Sequence, residues 1–177
     1  MVKIQLQTDC KKLLADVFTP VGIYLRLRDR FRDTILLEST DHHVAENSYS
    51  FICVNAIAGI EISSTDSMEL KWPNQNPEKI EINNRSKVSD LLWEFMQRFD
   101  ASNTGEKENL FAQGLYGYTT FDAVQFFETI TLSTVDGRLS TEIPLMRYRL
   151  YQYVIVLNRF KDELFICENK IAGLESE

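Results

Sequence analysis

Residues able to do chemistry are sparse in this 177-residue chain, and they concentrate in a few short segments. In Leu36-Leu37-Glu38-Ser39 an apolar run ends in a carboxylate and a hydroxyl, groups suited to holding the ammonium and polar atoms of a small ligand. Tyr49-Ser50-Phe51-Ile52 brings an aromatic ring and a second hydroxyl to the strand expected beside it. Gly114-Leu115-Tyr116-Gly117-Tyr118-Thr119-Thr120-Phe121-Asp122 packs aromatics around glycines, where another backbone or a ligand can come close. On residue chemistry alone each segment also has an ordinary account: a strand end, core packing, and a tight strand-to-helix junction. Catalytic constellations are missing. His42 and His43 are adjacent in one polar stretch, where neighbouring side chains diverge and chelate poorly. Gly114-x-x-Gly117 lacks the further glycines and the lysine of a phosphate loop, and Asp122 and Glu128 lie too far apart around a helix axis for acid–base work. No catalytic residue, metal site or cofactor is therefore expected.

Composition narrows the partners. Lys and Arg number 19 against 26 Asp and Glu, a net charge of −7 with no basic block, which argues against nucleic acid and anionic membranes. At 44% hydrophobic residues the chain is apolar enough to fold as one domain rather than stay disordered. Its apolar runs are far short of the ~20 residues a spanning helix needs, and Met1-Val2-Lys3-Ile4 leads into polar residues, so a cytoplasmic location is expected. Cys10, Cys53 and Cys167 are odd in number and far apart, which reads as buried reduced thiols. Asn84-Arg85-Ser86 matches a glycosylation pattern by chance in such a compartment.

Hydrophobic period and turn residues set the expected secondary structure around these segments. Thr8 can cap a helix carrying Leu13, Leu14 and Val17 that Pro20 stops. Ile23, Leu25 and Leu27 alternate with polar residues as in a strand, and Thr34–Ser39, Tyr49–Val54, Ile57–Ile62 and Met68–Trp72 continue the strand pattern. Trp72–Pro77 is a turn cluster. From Lys87, with Ser86 as a cap, Val88, Leu91, Leu92, Phe95, Met96 and Phe99 take helical spacing. Phe111–Tyr118 reads as a strand, Thr120 caps a helix through Phe127, Ser133–Thr141 is a loop, and Tyr148–Leu157 with Glu163–Cys167 form a hairpin. Strands dominate, so the class is α+β with mainly antiparallel sheet.

As an ordered set, Pro20-Val21 to Leu27, Ile35-Leu36-Leu37-Glu38-Ser39, Tyr49-Ser50-Phe51-Ile52, Gly114-Leu115-Tyr116-Gly117-Tyr118, Phe121-Asp122 and Phe127-Glu128 resemble the N-terminal region of anthranilate synthase component I and of its relative aminodeoxychorismate synthase component I. The resemblance implies two mainly antiparallel β-sheets packed across each other with a few flanking helices. It implies a regulatory domain over 1–168, with 169–177 a tail or the start of a linker to a chorismate-utilising C-terminal domain. That domain would hold the magnesium and the catalysis, and a glutamine amidotransferase subunit would supply ammonia. The family's feedback inhibitor, L-tryptophan, is then expected at Glu38 and Ser39, with Tyr49, Ser50 and Pro20 as neighbouring walls. Ser48 and Cys53 depart from the basic residue and glycine common around Tyr-Ser-Phe-Ile, and Phe121 stands where a tyrosine is common. The alternatives are the corresponding domain of a folate-branch or isochorismate-type enzyme, and a stand-alone ligand or protein-interaction module.

Overall fold

The first reversal of the chain is set by Thr19 and Pro20. The computed structural model describes residues 3–38, 48–84, 87–101, 105–130, 132 and 143–174. Thr19 has extended backbone and its Oγ1 accepts the Gly22 amide at 3.0 Å, so Pro20, which has no amide to satisfy, opens helix α1 (Pro20–Leu27). Ile23, Tyr24, Leu27 and Phe31 then fall on one face and pack against Ile52, Val54 and Leu157. The alternation that suggested a strand over 23–28 is overridden by this cap. Upstream, strand β1 (Ile4–Leu14) replaces the helix expected after Thr8, because Leu6, Thr8 and Cys10 turn inward while Gln5, Gln7 and Asp9 stay exposed.

The rest of the sheet follows the expected order. Strands β2 (Ile35–Glu38), β3 (Tyr49–Ser64) and β4 (Ser67–Lys71) are joined by β5 (Glu78–Glu81), which the sequence pattern did not reveal. Helix α2 (Val88–Met96) follows, though its proposed cap, Ser86, lies outside the described residues. After β6 (Phe99–Asp100), a 3-10 helix over Lys107–Phe111 shortens the strand expected from Phe111 to β7 (Tyr116–Thr119). Thr120 precedes a second 3-10 helix, Phe121–Phe126, but its hydroxyl donates to the Leu145 carbonyl at 3.1 Å instead of capping. The loop expected over 133–141 lies outside the described residues. The terminal hairpin forms as β8 (Met146–Asn158) and β9 (Glu163–Ile171), so β9 runs past the boundary expected at 168 and buries Asn169 completely.

Among the described residues nine strands join in one mixed sheet ordered β5-β4-β3-β8-β9-β1-β6, with β2 on β3 and β7 on β8, and only β1 and β6 run parallel. Strands β3 and β8 pair from Tyr49 opposite Asn158 to Ile62 opposite Met146. Along its other edge β8 holds β7 at 146–149 and β9 at 153–158, so the two expected sheets are halves of one, sharing β3 and β8. A bulge between Ala56 and Ala58, next to Asn55 at φ 57°, bends the shared strands. The halves close on each other: Leu6 of β1 and Ile171 of β9 share a core with Met68 and Leu70 of β4 and Val88 and Phe95 of α2. The fold is α+β.

One feature contradicts the reading of all three cysteines as buried reduced thiols. Cys10 and Cys167 sit directly opposite each other on β1 and β9 and form a disulfide, 157 residues apart in sequence. That distance concealed it, because the pairing depends on the two terminal strands lying side by side. Cys53 stays free and fully buried, and burial pushes its thiol well above the usual range.

On the second half of the sheet Glu61 bridges two arginines of β8. Its carboxylate accepts from Arg147 Nε at 2.8 Å and Arg149 Nη2 at 2.6 Å, while Arg149 Nη1 donates to the Ile60 carbonyl at 3.0 Å. Burial alone would raise the Glu61 carboxyl; the hydrogen bond and charge of Arg147, joined by those of Arg149, outweigh it and hold the group below its ordinary value. A lowered carboxyl stabilises the fold above the unfolded-state value and loses that share as pH falls through the folded one. Glu61→Gln should therefore cost about 2 kcal/mol near neutral pH by urea denaturation, with the gap to the parent narrowing as pH drops below the ordinary 4.5. Packing is equally tight at β7, where a Cβ on Gly117 would overlap the Arg147 carbonyl. Gly117→Ala should lower stability by about 2–3 kcal/mol in the same measurement.

Candidate functional site

Pairing and pleat decide which of the expected site residues meet. In the β2–β3 ladder Ile35 lies opposite Cys53, Leu36 opposite Ile52, Leu37 opposite Phe51 and Glu38 opposite Ser50. Successive side chains alternate between faces. Leu36 and Ile52 belong to the core under α1, so Glu38 and Ser50 share that face; Ser50 is buried and Glu38 is exposed at its rim. Pro20, also buried, opens the helix packed on the same face. These three residues are brought to one side of the sheet. Ser39, the next residue after Glu38, lies outside the described residues, as do His42 and His43.

Tyr49 goes to the opposite face. Its ring packs on Phe111 at 5.3 Å and Phe51 at 6.4 Å between centroids, within an aromatic group that also takes in Tyr116 and Phe165. Its pairing partner Asn158 is fully buried and accepts the amides of Phe160 and Lys161 at 3.0 and 3.1 Å, closing the β8–β9 turn. Tyr49 and Asn158 thus fix the backbone on which Ser50 and Glu38 stand. The glycine-rich segment divides similarly: Gly117 is a close-approach position, Gly114 faces open space, and Phe121 is 81% exposed.

Sequence reasoning missed a cavity of about 770 Å³ at the β3 bulge, lined by Asn55, Lys71, Trp72, Asn74 and Gly173 among others. Its polar groups largely bond to the fold: Asn55 Nδ2 donates to Gln152, Lys71 Nζ to the Ala56 carbonyl, and Asn74 Nδ2 to the Gly173 carbonyl. The left-handed backbone at Asn55 and Asn74 was a usable signal, since asparagine tolerates it better than most residues. Among the described residues no group of three or more His, Cys, Asp or Glu is placed to hold a metal, and no helix is long and apolar enough to cross a membrane.

No protein-family model matches the chain. Anthranilate synthase component 1 of Lactococcus lactis is 25% identical to it over 170 residues, which is 94% of this chain and 33% of the relative. The same component of Aquifex aeolicus is 29% identical over 150 residues, 79% of this chain and 26% of the relative. The chain resembles the N-terminal part of anthranilate synthase component 1. It spans a third or less of the length of these curated relatives. A crystal structure of anthranilate synthase component I from Streptococcus pneumoniae aligns over 94% of this chain and 33% of its own, at 19% identity and a TM-score of 0.49.

The aromatic support beneath Tyr49 is testable by truncation. Phe111 is partly buried, so Phe111→Ala should cost about 2–3 kcal/mol by chemical denaturation, less than the ~3–5 typical of a fully buried phenylalanine.

Proposed function

We propose that this chain is the N-terminal regulatory part of an anthranilate synthase component I and contributes part of an L-tryptophan feedback site, without being catalytic alone. The parent enzyme would convert chorismate and glutamine or ammonia to anthranilate and pyruvate in cytoplasmic tryptophan biosynthesis. Its chorismate-utilising C-terminal domain would carry the magnesium and the chemistry, with a glutamine amidotransferase subunit delivering ammonia. The observation that carries the reading is the Glu38–Ser50 pair on the face under α1, in a chain similar along most of its length to that component. An exposed carboxylate at the rim suits an amino-acid ammonium, the Ser39 and Ser50 hydroxyls suit the rest of the head group, and apolar walls including Pro20 suit an indole. Tyr49 serves from the opposite face by fixing the start of β3. Bound inhibitor would then bias how this domain and the catalytic one are arranged.

The test is an NMR titration of the isotope-labelled 177-residue chain with L-tryptophan. Saturable shifts are expected at Glu38, Ser39 and Ser50, in the millimolar range of about −4 kcal/mol that half a site can supply, and not with L-phenylalanine. Unshifted amides at saturating tryptophan would remove the effector half-site from this domain. In the complete synthase, Ser39→Ala or Ser39→Phe should raise the tryptophan needed for half-inhibition by roughly tenfold or more, about 1.4 kcal/mol, with uninhibited turnover unchanged. An aminodeoxychorismate product would assign the parent to the folate branch instead.

A further inference from the structure

We propose that the Cys10–Cys167 disulfide is a reversible redox clasp, opened by a dithiol or glutathione-class thiol, that sets how tightly β1 and the Lys107–Phe111 helix are held to the sheet. Strand β1 depends on few neighbours. Among the described residues it pairs along Leu6–Leu14 only with β9, and β6 reaches no further than Ile4 and Gln5. The bond therefore ties β1 to β9 at the middle of the ladder that holds its Leu6–Leu14 stretch, where the other side of β1 has no partner strand among the described residues. On the same face, Thr8 donates to Asn169, Gln113 donates to Thr8, and Asn169 donates to the Ala112 carbonyl at 2.7 Å. This network fastens the end of the Lys107–Phe111 helix over the two sulfurs.

Both redox forms fit this setting. The Glu108 carbonyl lies 3.4 Å from Cys10 Sγ and 3.7 Å from Cys167 Sγ, so an acceptor stands ready for either thiol once the bond is cut. The nine-residue β1–β9 ladder keeps the sulfurs opposed in the reduced form and ready to close again. Exposure sets the direction of attack, since Cys10 is half-buried and Cys167 fully buried. The reductant's thiolate attacks Cys10 Sγ and displaces Cys167 as a thiolate, which takes up a proton. A second reductant thiol then attacks the mixed disulfide and releases Cys10, likewise protonated. Net, the protein gains two electrons and two protons while two reductant thiols become a disulfide. Cys53 does not compete: it stands in the same lateral row, but Val154 of β8 separates it from Cys167, a gap of about two strand spacings or ~10 Å, beyond disulfide reach.

The test uses the unmodified chain in glutathione buffers of graded ratio and in excess dithiothreitol. Thiols are trapped with N-ethylmaleimide in denaturant and counted by intact mass. The expected count is one adduct under oxidising glutathione and three under dithiothreitol, from the cysteines at 10, 53 and 167. Hydrogen exchange in the reduced protein, and in Cys10→Ser, should quicken roughly tenfold or more in β1 and over Lys107–Ala112, and stay unchanged in the β3–β8 ladder. Three adducts under every oxidising buffer, one adduct in excess dithiothreitol, or equal β1 exchange in both redox states would each overturn the clasp. Because the comparison is made on the parent chain in two redox states, it stands even if Cys10→Ser folds poorly.

Discussion

Strands of 16 and 13 residues run antiparallel through the middle of the sheet, and every other described strand is attached to one of them directly or through one or two neighbours. Covered on both sides, they must be apolar on both, which is why Phe51–Ile62 reads as an almost unbroken hydrophobic run rather than an alternating one. Asn55 in the left-handed region and the bulge beside it let one pair of strands serve two halves of the sheet. Beyond the bend, the Glu61–Arg147–Arg149 cluster joins the same two strands electrostatically, where Gly59 leaves room for the Arg149 side chain. Register in the β2–β3 ladder, built on the same β3, settles where Glu38 stands.

What the sequence disclosed tracks how local the deciding interaction is. The terminal hairpin, the long apolar strands and α2 were legible because their periods are carried by residues close together in the chain. The helix expected after Thr8 is a strand and the strand expected at Ile23–Leu27 is a helix, because the contacts that claim Thr8 lie far away in the chain. Thr8 is claimed by Asn169 and Gln113, whereas Thr19 has its partner in Gly22, three residues on. The disulfide was illegible for the same reason at longer range: two cysteines at opposite ends of a chain give no local sign of pairing.

The candidate site was legible as residue types and illegible as geometry. Glu38 and Ser50 belong together because they are a registered pair, and Tyr49 is separated from them because a strand turns its next side chain to the other face. Tyr49-Ser50 written side by side in a sequence looks like one wall. In the sheet it is two, one facing α1 and one packed, partly buried, with Phe51, Phe111 and Phe165.

Under the proposed reading, that division also constrains regulation. Glu38 is exposed, and a surface carboxylate contributes about 1 kcal/mol or less to holding a cation, because water competes for both charges. Tight binding of an amino acid there requires a second wall that removes the water. The same end of the molecule carries exposed apolar side chains on and around α1 and the β8–β9 turn, among them Val17 at 78%, Val21 at 46%, Leu25 at 50% and Phe160 at 59%. Apolar groups gathered beside a half-formed polar site are what a covering surface would bury. If the cover is a second domain of the parent chain, ligand affinity and domain arrangement are one equilibrium: whatever the ligand gains from closure, closure gains from the ligand.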